Sequence, residues 1–512
     1  MKYTNPILRG CYPDPSICRA GEYFYIVNST FEFIPGIPVF RSKNLVQWEQ
    51  VGHCLTRNSQ LHIVAGHEYG RQSASGIYAP TIRFKDGRFY MITTNMLSKE
   101  DSGNFFMWTD DIEGEWSDPI FLETPGIDPS FFFDDDGRTY YVGTSDNQIY
   151  VSEIDLETGK FLSDRHVLWG GTGGAYPEGP HIYKKDGTYY LMISEGGTER
   201  AHMITMAKSD SLFGKYTPCP HNPLLTNRSL LRPLEAIGHA DLVQDLKGNW
   251  WAVCLGTRTF SYPPKHNLGR ETMLIPVNWD GEWPVFGNDG TCEKEYDVEL
   301  PAPVEGPIDF DEKYECSFSA AGPDMNWNYL YNPVHENYIF EDGAVKLLGD
   351  EHCLYDWSSY TWLGRRQRAH NTTASVTLTF APVNEGEEAG FTLFMNHKHH
   401  YAAGLICEDG QKKIIFYRRI GSLMNREAEI VVDTDTVTYE IDSDKDFYTF
   451  YYRIDGGERT YLGRGETVYI TTEVGGSFTG NYYAMYAVGN GKKSETFATF
   501  TKFKYEEKDL GI

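Results

Sequence analysis

The chain has 512 residues, too many for a single compact core, and its length points to two domains. With 46 basic against 72 acidic side chains the formal charge is −26, which excludes nucleic acid and anionic membrane surfaces as natural partners and favours neutral substrates. Aromatic residues make up 15 %, including 35 Tyr and 11 Trp; most of them serve strand packing, and flat apolar faces with polar edges also suit sugar rings.

Met1-Lys2-Tyr3-Thr4-Asn5 leads straight into what reads as a first strand, with no targeting segment, and no run of about 18 apolar residues suggests a membrane span. The 9 cysteines are odd in number and lack paired or C-x-x-C spacing, which reads as free thiols in a reducing compartment. The expected location is cytoplasmic.

From Asn5 to about Leu300 one unit recurs. Pro13-Asp14-Pro15-Ser16-Ile17, Tyr78-Ala79-Pro80-Thr81-Ile82, Ile127-Asp128-Pro129-Ser130-Phe131, Tyr176-Pro177-Glu178-Gly179-Pro180-His181-Ile182 and Gly238-His239-Ala240-Asp241-Leu242 each precede a glycine turn and an aromatic strand. The turn glycines Gly21, Gly87, Gly137, Gly187 and Gly248 are separated by 66, 50, 50 and 61 residues, close to the period of a propeller blade. Prolines flanking these segments keep them out of helices and central strands and set them at strand tips. The first strand of a blade lines the central axis, so Asp14, Ala79, Asp128, Glu178 and His239 are expected at nearly equivalent positions, converging on one mouth. Three carboxylates brought together there imply work, because like charges at close range are otherwise unfavourable. Asp-Pro-Ser alone is also ordinary turn chemistry. Ser42 to Trp48 and Ser209 to Tyr216 read as turns entering outer blade strands.

Pro301-Ala302-Pro303-Val304-Glu305-Gly306-Pro307 is a proline-rich connector, and the repeat stops after it. The predicted domains are residues 1–300, a five-bladed β-propeller, and 301–512, the connector and a β-sandwich. From about Ile308 polar and apolar residues alternate, as in Ala374 to Phe380, Lys413 to Tyr417 and Phe447 to Tyr452, the pattern of half-buried strands. His397-Lys398-His399-His400 lacks the partners and spacing of a metal site and reads as an exposed hairpin.

Eight stretches in order carry a family resemblance: Tyr12 to Ser16, Ser29 to Phe33, Ile77 to Arg83, Gly126 to Ser130, Tyr176 to His181, Glu195 to Thr198, Gly238 to Asp241 and Gly269 to Thr272. The chain resembles glycoside hydrolase family 43, in particular its two-domain β-xylosidase and α-L-arabinofuranosidase branch. Asn326 to Leu330 and Ala389 to Phe391 extend the resemblance more loosely into the second domain. It implies an all-β fold and hydrolysis with inversion, with Asp14 as general base, Glu178 as general acid, and Asp128 orienting Glu178 and raising its pKa. It further implies that Arg270 contacts the terminal sugar and lowers the pKa of Asp14, and that Phe31, Tyr78, Ala79 and Thr198 line the pocket with His239. Relatives often carry Trp where this chain has Tyr78, which loosens any inherited sugar preference. Phe478 either closes the pocket from the second domain or packs in its core. His239 either tunes the pocket, with no cofactor required, or holds an axial Ca²⁺ through water.

The expected activity is exo-acting release of terminal D-xylose or L-arabinofuranose from xylo- or arabinoxylo-oligosaccharides, as in xylan breakdown. An endo-arabinanase and a non-catalytic carbohydrate-binding propeller are the alternatives, and a homo-oligomer stays open.

Overall fold

The computed structural model describes residues 1–65, 75–97, 101–230, 232–306, 313–316, 318–476 and 478–508. Pro307 of the connector, Ile308 and Ser477 lie outside them. The described chain is almost wholly β.

Five four-stranded antiparallel sheets form the blades, with innermost strands Ser16–Ala20, Thr81–Lys85, Ile127–Phe133, Glu178–Lys185 and Leu234–Gln244. Each innermost strand touches the next and the fifth touches the first, so the ring is closed. The turn glycines Gly21, Gly87, Gly137, Gly187 and Gly248 have φ between +61° and +88°, and at the first four nothing lies within 4 Å of where a Cβ would stand. Backbone conformation, rather than crowding, therefore selects glycine there. The N-terminal segment fastens the closure: the Asn5 side chain accepts from Leu274 N at 2.8 Å and donates to Leu274 O at 2.9 Å. Lys2–Thr4 also pairs antiparallel with Glu295–Asp297.

Two large antiparallel sheets make the second domain. One of them ends in a strand that belongs to the propeller: Phe33–Ile34 pairs with Trp327–Leu330. Phe33 stacks on Tyr482 with centroids 4.2 Å apart, and Phe33 and Ile34 share an apolar cluster with Leu330, Trp362 and Tyr482. A shared core of this kind fixes two domains as one body, in contrast to the polar interfaces that permit relative motion. Turn glycines and alternation carry no signal for such an exchanged strand.

The histidine-rich segment is a hairpin between Glu388–Asn396 and His399–Glu408, as expected, but of its four residues only Lys398 is exposed. His399 and His400 are buried and His397 stacks on Trp357 at 5.3 Å.

Candidate active site

Irregular pairing at the tips of the innermost strands aims the polar side chains. Strand register steps from Ile127–Thr144 to Ser130–Val142, from Glu178–Ser194 to His181–Met192, and from Gly238–Leu255 to Asp241–Val253, leaving two residues bulged each time. The first bulged residue is left-handed in every case: Asp128 at φ +53°, Gly179 at +56° and His239 at +49°. Asp14, at φ +50°, takes the same place before Ser16. The repeat-equivalent set is thus Asp14, Ala79, Asp128, Gly179 and His239. Glu178 stands one residue earlier, at the position of Ile127, so the equivalence the sequence suggested is near rather than strict. Gly179 is needed for its φ and for space, since a Cβ there would lie 3.0 Å from His239 Cε1.

The predicted residues nevertheless converge. Asp14, 4 % exposed, receives Arg270 Nη1 on Oδ1 at 2.7 Å, Arg270 Nη2 on Oδ2 at 3.2 Å and Ser29 Oγ on Oδ2 at 2.5 Å. Burial pushes this carboxyl up, but the guanidinium and the hydroxyl outweigh it and hold the pKa below the ordinary carboxylate value. Asp128 and Glu178 move the other way. Burial and the charge of Glu178 raise Asp128 well above its usual value, and burial with the charge of Asp14 raises Glu178 to about 7. The two carboxyls titrate as a pair. Ligand-capable atoms of Asp128, Glu178 and His239 lie within 4.8 Å of one another, a group that does not include Asp14.

Aromatic rings from both domains surround Arg270. Its guanidinium lies 5.6 Å from the Phe31 centroid and 5.4 Å from that of Phe478, and Phe31, Tyr78 and Phe478 are in mutual contact at 5.8 to 6.4 Å. Phe478 therefore belongs to the site rather than to the core of the sandwich. Thr198 Oγ1 accepts from Arg270 Nη1 at 2.8 Å, and Ala79 is buried beside Tyr78. Burial and the charge of Asp128 push the Tyr78 hydroxyl up to about 12.

Sequence reasoning missed three contributions. Ser29 was visible only as part of a motif. His202, wholly buried and far from any repeat marker, points Nε2 at Glu178 Oε1 from 3.7 Å, while its Nδ1 faces Ala236 O at 3.3 Å. Two residues beyond the bulges, a second polar layer crosses the axis. Asp241 takes Arg83 at 2.7 and 3.1 Å, Ser16 Oγ at 2.6 Å and Tyr183 Oη at 2.7 Å, and Arg83 also donates to His181 Nδ1 at 2.9 Å. This satisfied buried ion pair plugs the ring beneath the carboxyls.

The loop carrying Arg270 is tied to the segment carrying Phe478. Asn481 N donates to Asn267 O at 2.9 Å, Thr472 N to His266 O at 3.2 Å, and Asn267 Nδ2 to Tyr448 Oη at 2.6 Å. Gly269 and Gly480 let the two backbones meet; a Cβ on Gly480 would lie 2.3 Å from Leu268 O.

Comparison with known proteins agrees with this arrangement. Residues 3–284 match the model of glycosyl hydrolases family 43, and residues 315–506 match that of the β-xylosidase C-terminal concanavalin A-like domain. The chain is 38 % identical over 515 residues to a non-reducing end α-L-arabinofuranosidase of Bacteroides ovatus, covering 98 % of this chain and 94 % of that protein. It is 36 % identical over 528 residues to a xylosidase/arabinosidase of Butyrivibrio fibrisolvens, covering 98 % and 99 %. Among solved structures, the xyloglucan PUL protein GH43B of Bacteroides ovatus superposes with a TM-score of 0.92 at 36 % identity over 99 % of both chains. A xylan β-1,4-xylosidase of Bacillus halodurans gives 0.90 at 29 % identity, over 98 % of this chain and 100 % of that one. A five-bladed propeller with three convergent carboxyls, joined to a sandwich and matched end to end by such relatives, leaves one conclusion: the chain belongs to glycosyl hydrolase family 43 and is a glycoside hydrolase.

Proposed function

We propose that the enzyme removes single D-xylopyranosyl or L-arabinofuranosyl units from the non-reducing ends of hemicellulose oligosaccharides, with inversion at the anomeric carbon. The observation that carries this reading is the opposite displacement of two carboxyls in one pocket: Asp14 is held ionised by its pairing with Arg270 and Ser29, and Glu178 is raised to about 7, so that it carries its proton below that pH. A base and an acid at the same pH are what single displacement needs. Asp14 has about four lone-pair sites and three are taken, two of them on Oδ2, so Oδ1 retains one for the attacking water. As water adds to the anomeric carbon its proton passes to Asp14, while Glu178 gives its proton to the departing oxygen. Asp128 stands beside Glu178 and orients it, while burial and the charge of Asp14, rather than Asp128 as the sequence suggested, raise the acid's pKa.

The ring of Phe478, packed on Phe31 and above Arg270, supports exo action, because it closes a side that an endo-acting cleft would leave open. The relatives' names cover both xylosidases and arabinofuranosidases, which supports the two candidate sugars. No metal enters the proposed reaction. Asp128, Glu178 and His239 offer one ligand atom each, few against the roughly six to eight oxygens that Ca²⁺ takes. The 9 cysteines stand as free thiols, which supports a cytoplasmic location.

Release of p-nitrophenol from the β-D-xylopyranoside and the α-L-arabinofuranoside tests the proposal. Cleavage of one or both is expected. Cleavage of neither, with sugar binding retained, would favour a carbohydrate-binding propeller, and internal scission of arabinan would favour an endo enzyme.

A further inference from the structure

Tyr176 is 68 % exposed, yet it stands two residues before the acid and its backbone φ is +52°, a conformation unfavourable for a bulky L-residue. An exposed tyrosine in a loose loop would relax out of that region. Here the surroundings prevent it. Gly196 N holds Ala175 O at 2.7 Å on one side, and Thr144 Oγ1 holds Pro177 O at 2.7 Å on the other.

The loop before it is anchored from within. The wholly buried carboxylate of Glu195 accepts from Thr172 N at 2.9 and 3.0 Å, Thr172 Oγ1 at 3.0 Å, Gly174 N at 2.9 Å and Thr205 Oγ at 2.5 Å. Burying a carboxylate under so many donors is a substantial structural commitment for a surface loop. The Tyr176 ring lies over Gly197, where a Cβ would approach its Cδ2 to 3.3 Å. The next residue, Thr198, contacts Arg270 at 2.8 Å, so the ring borders the sugar pocket on the side of the acid.

We infer that Tyr176 is the stacking platform for the sugar on the leaving-group side of the scissile bond. Glu178 protonates the oxygen that joins the two sugars, so the departing residue must lie next to the segment that carries it. An exposed, rigidly held aromatic face there matches the apolar C–H face of a pyranose ring. The second sugar is bound at the rim of the site through one face, leaving the rest of the oligosaccharide in solvent.

This inference rests on the glycosidase reading and is tested beside it. For the sugar that the wild-type enzyme releases, kcat/KM is measured on an oligosaccharide ending in that sugar and on its methyl glycoside. Tyr176→Ala is expected to lower the first roughly tenfold, mainly through KM, and the second by less than about twofold, with Tyr176→Trp restoring the oligosaccharide value. Inhibition by the free released sugar stays unchanged, since the pocket itself is intact. Equal losses on both substrates, or unchanged oligosaccharide kinetics in Tyr176→Ala, would overturn the assignment of Tyr176 alone. A wild-type enzyme inactive on both would bring down the glycosidase reading, and the inference with it.

Discussion

Arg270 grips Asp14 with both terminal nitrogens, Nη1 on Oδ1 at 2.7 Å and Nη2 on Oδ2 at 3.2 Å, so that the proposed base is locked in orientation and charge by a residue of the neighbouring blade. Lysine cannot reproduce a two-pronged contact. Arg270→Lys is expected to lower kcat/KM roughly a hundredfold or more, since a buried carboxylate loses its hydrogen-bonded partner. Its pH profile carries a second signature: the acidic limb moves to higher pH, because a lysine ammonium pairs with Asp14 less closely than the two-pronged guanidinium that holds its pKa down. An acidic limb that stays in place would separate Asp14 from the role of base.

Glu178 acts only when protonated, and its carboxyl is raised to about 7, so kcat/KM falls as pH rises through that value. Asp14 acts only when ionised and stays ionised to below the usual carboxylate range, which leaves activity broad on the acidic side. Glu178→Gln should lose roughly 10² to 10⁴-fold on oligosaccharides and far less on aryl glycosides with good leaving groups, and it should lack the basic limb. Steady-state kinetics on the two substrate classes across pH provide the check. Equal losses on both would remove Glu178 from the acid role.

Inversion is expected from the placing of the carboxyls. Asp128 and Glu178 are close neighbours, whereas Asp14 stands outside their group and is committed to Arg270 and Ser29. A retaining pair lies only about 5 to 5.5 Å apart, with one member free to attack carbon. A β-xyloside should therefore yield α-xylose first, visible in the anomeric proton resonance before mutarotation. Initial β-xylose, or a trapped glycosyl-enzyme, would overturn the mechanism.

Exhaustive chelation is expected to leave kcat within about twofold of its starting value, because Asp128, Glu178 and His239 together supply few ligand atoms against the roughly six to eight oxygens that Ca²⁺ takes. The measurement is kcat before and after EDTA, with Ca²⁺ added back. A large loss restored by Ca²⁺ alone would assign His239 to a metal.

The blades were legible because each needs a left-handed residue at the same turn, and glycine supplies it at Gly21, Gly87, Gly137, Gly187 and Gly248. The three carboxyls were legible because proline flanks them. The offset of Glu178 from its repeat partners is written in the proline spacing, since Pro180 follows Glu178 by two residues where Pro15, Pro80 and Pro129 follow Asp14, Ala79 and Asp128 by one. His202 was hidden: it lies in a strand-entry segment without a marker, and only burial and the nearby Glu178 reveal it. Arg83 and Asp241 belong to recurring motifs, but nothing in their spacing announces that they meet across the axis. The pairing of Phe33–Ile34 with Trp327–Leu330 joins positions nearly 300 residues apart, beyond any local pattern.

The tie between the Arg270 loop and the Phe478 segment has an evolutionary consequence. The pocket is completed by the join, so neither half of the gene carries a whole specificity. Recombination that exchanged sandwiches between relatives would bring a foreign ring against Arg270 and a foreign edge against Phe33–Ile34. The two halves are therefore expected to descend together, and changes of sugar preference to arise from paired substitutions on either side of Gly269 and Gly480.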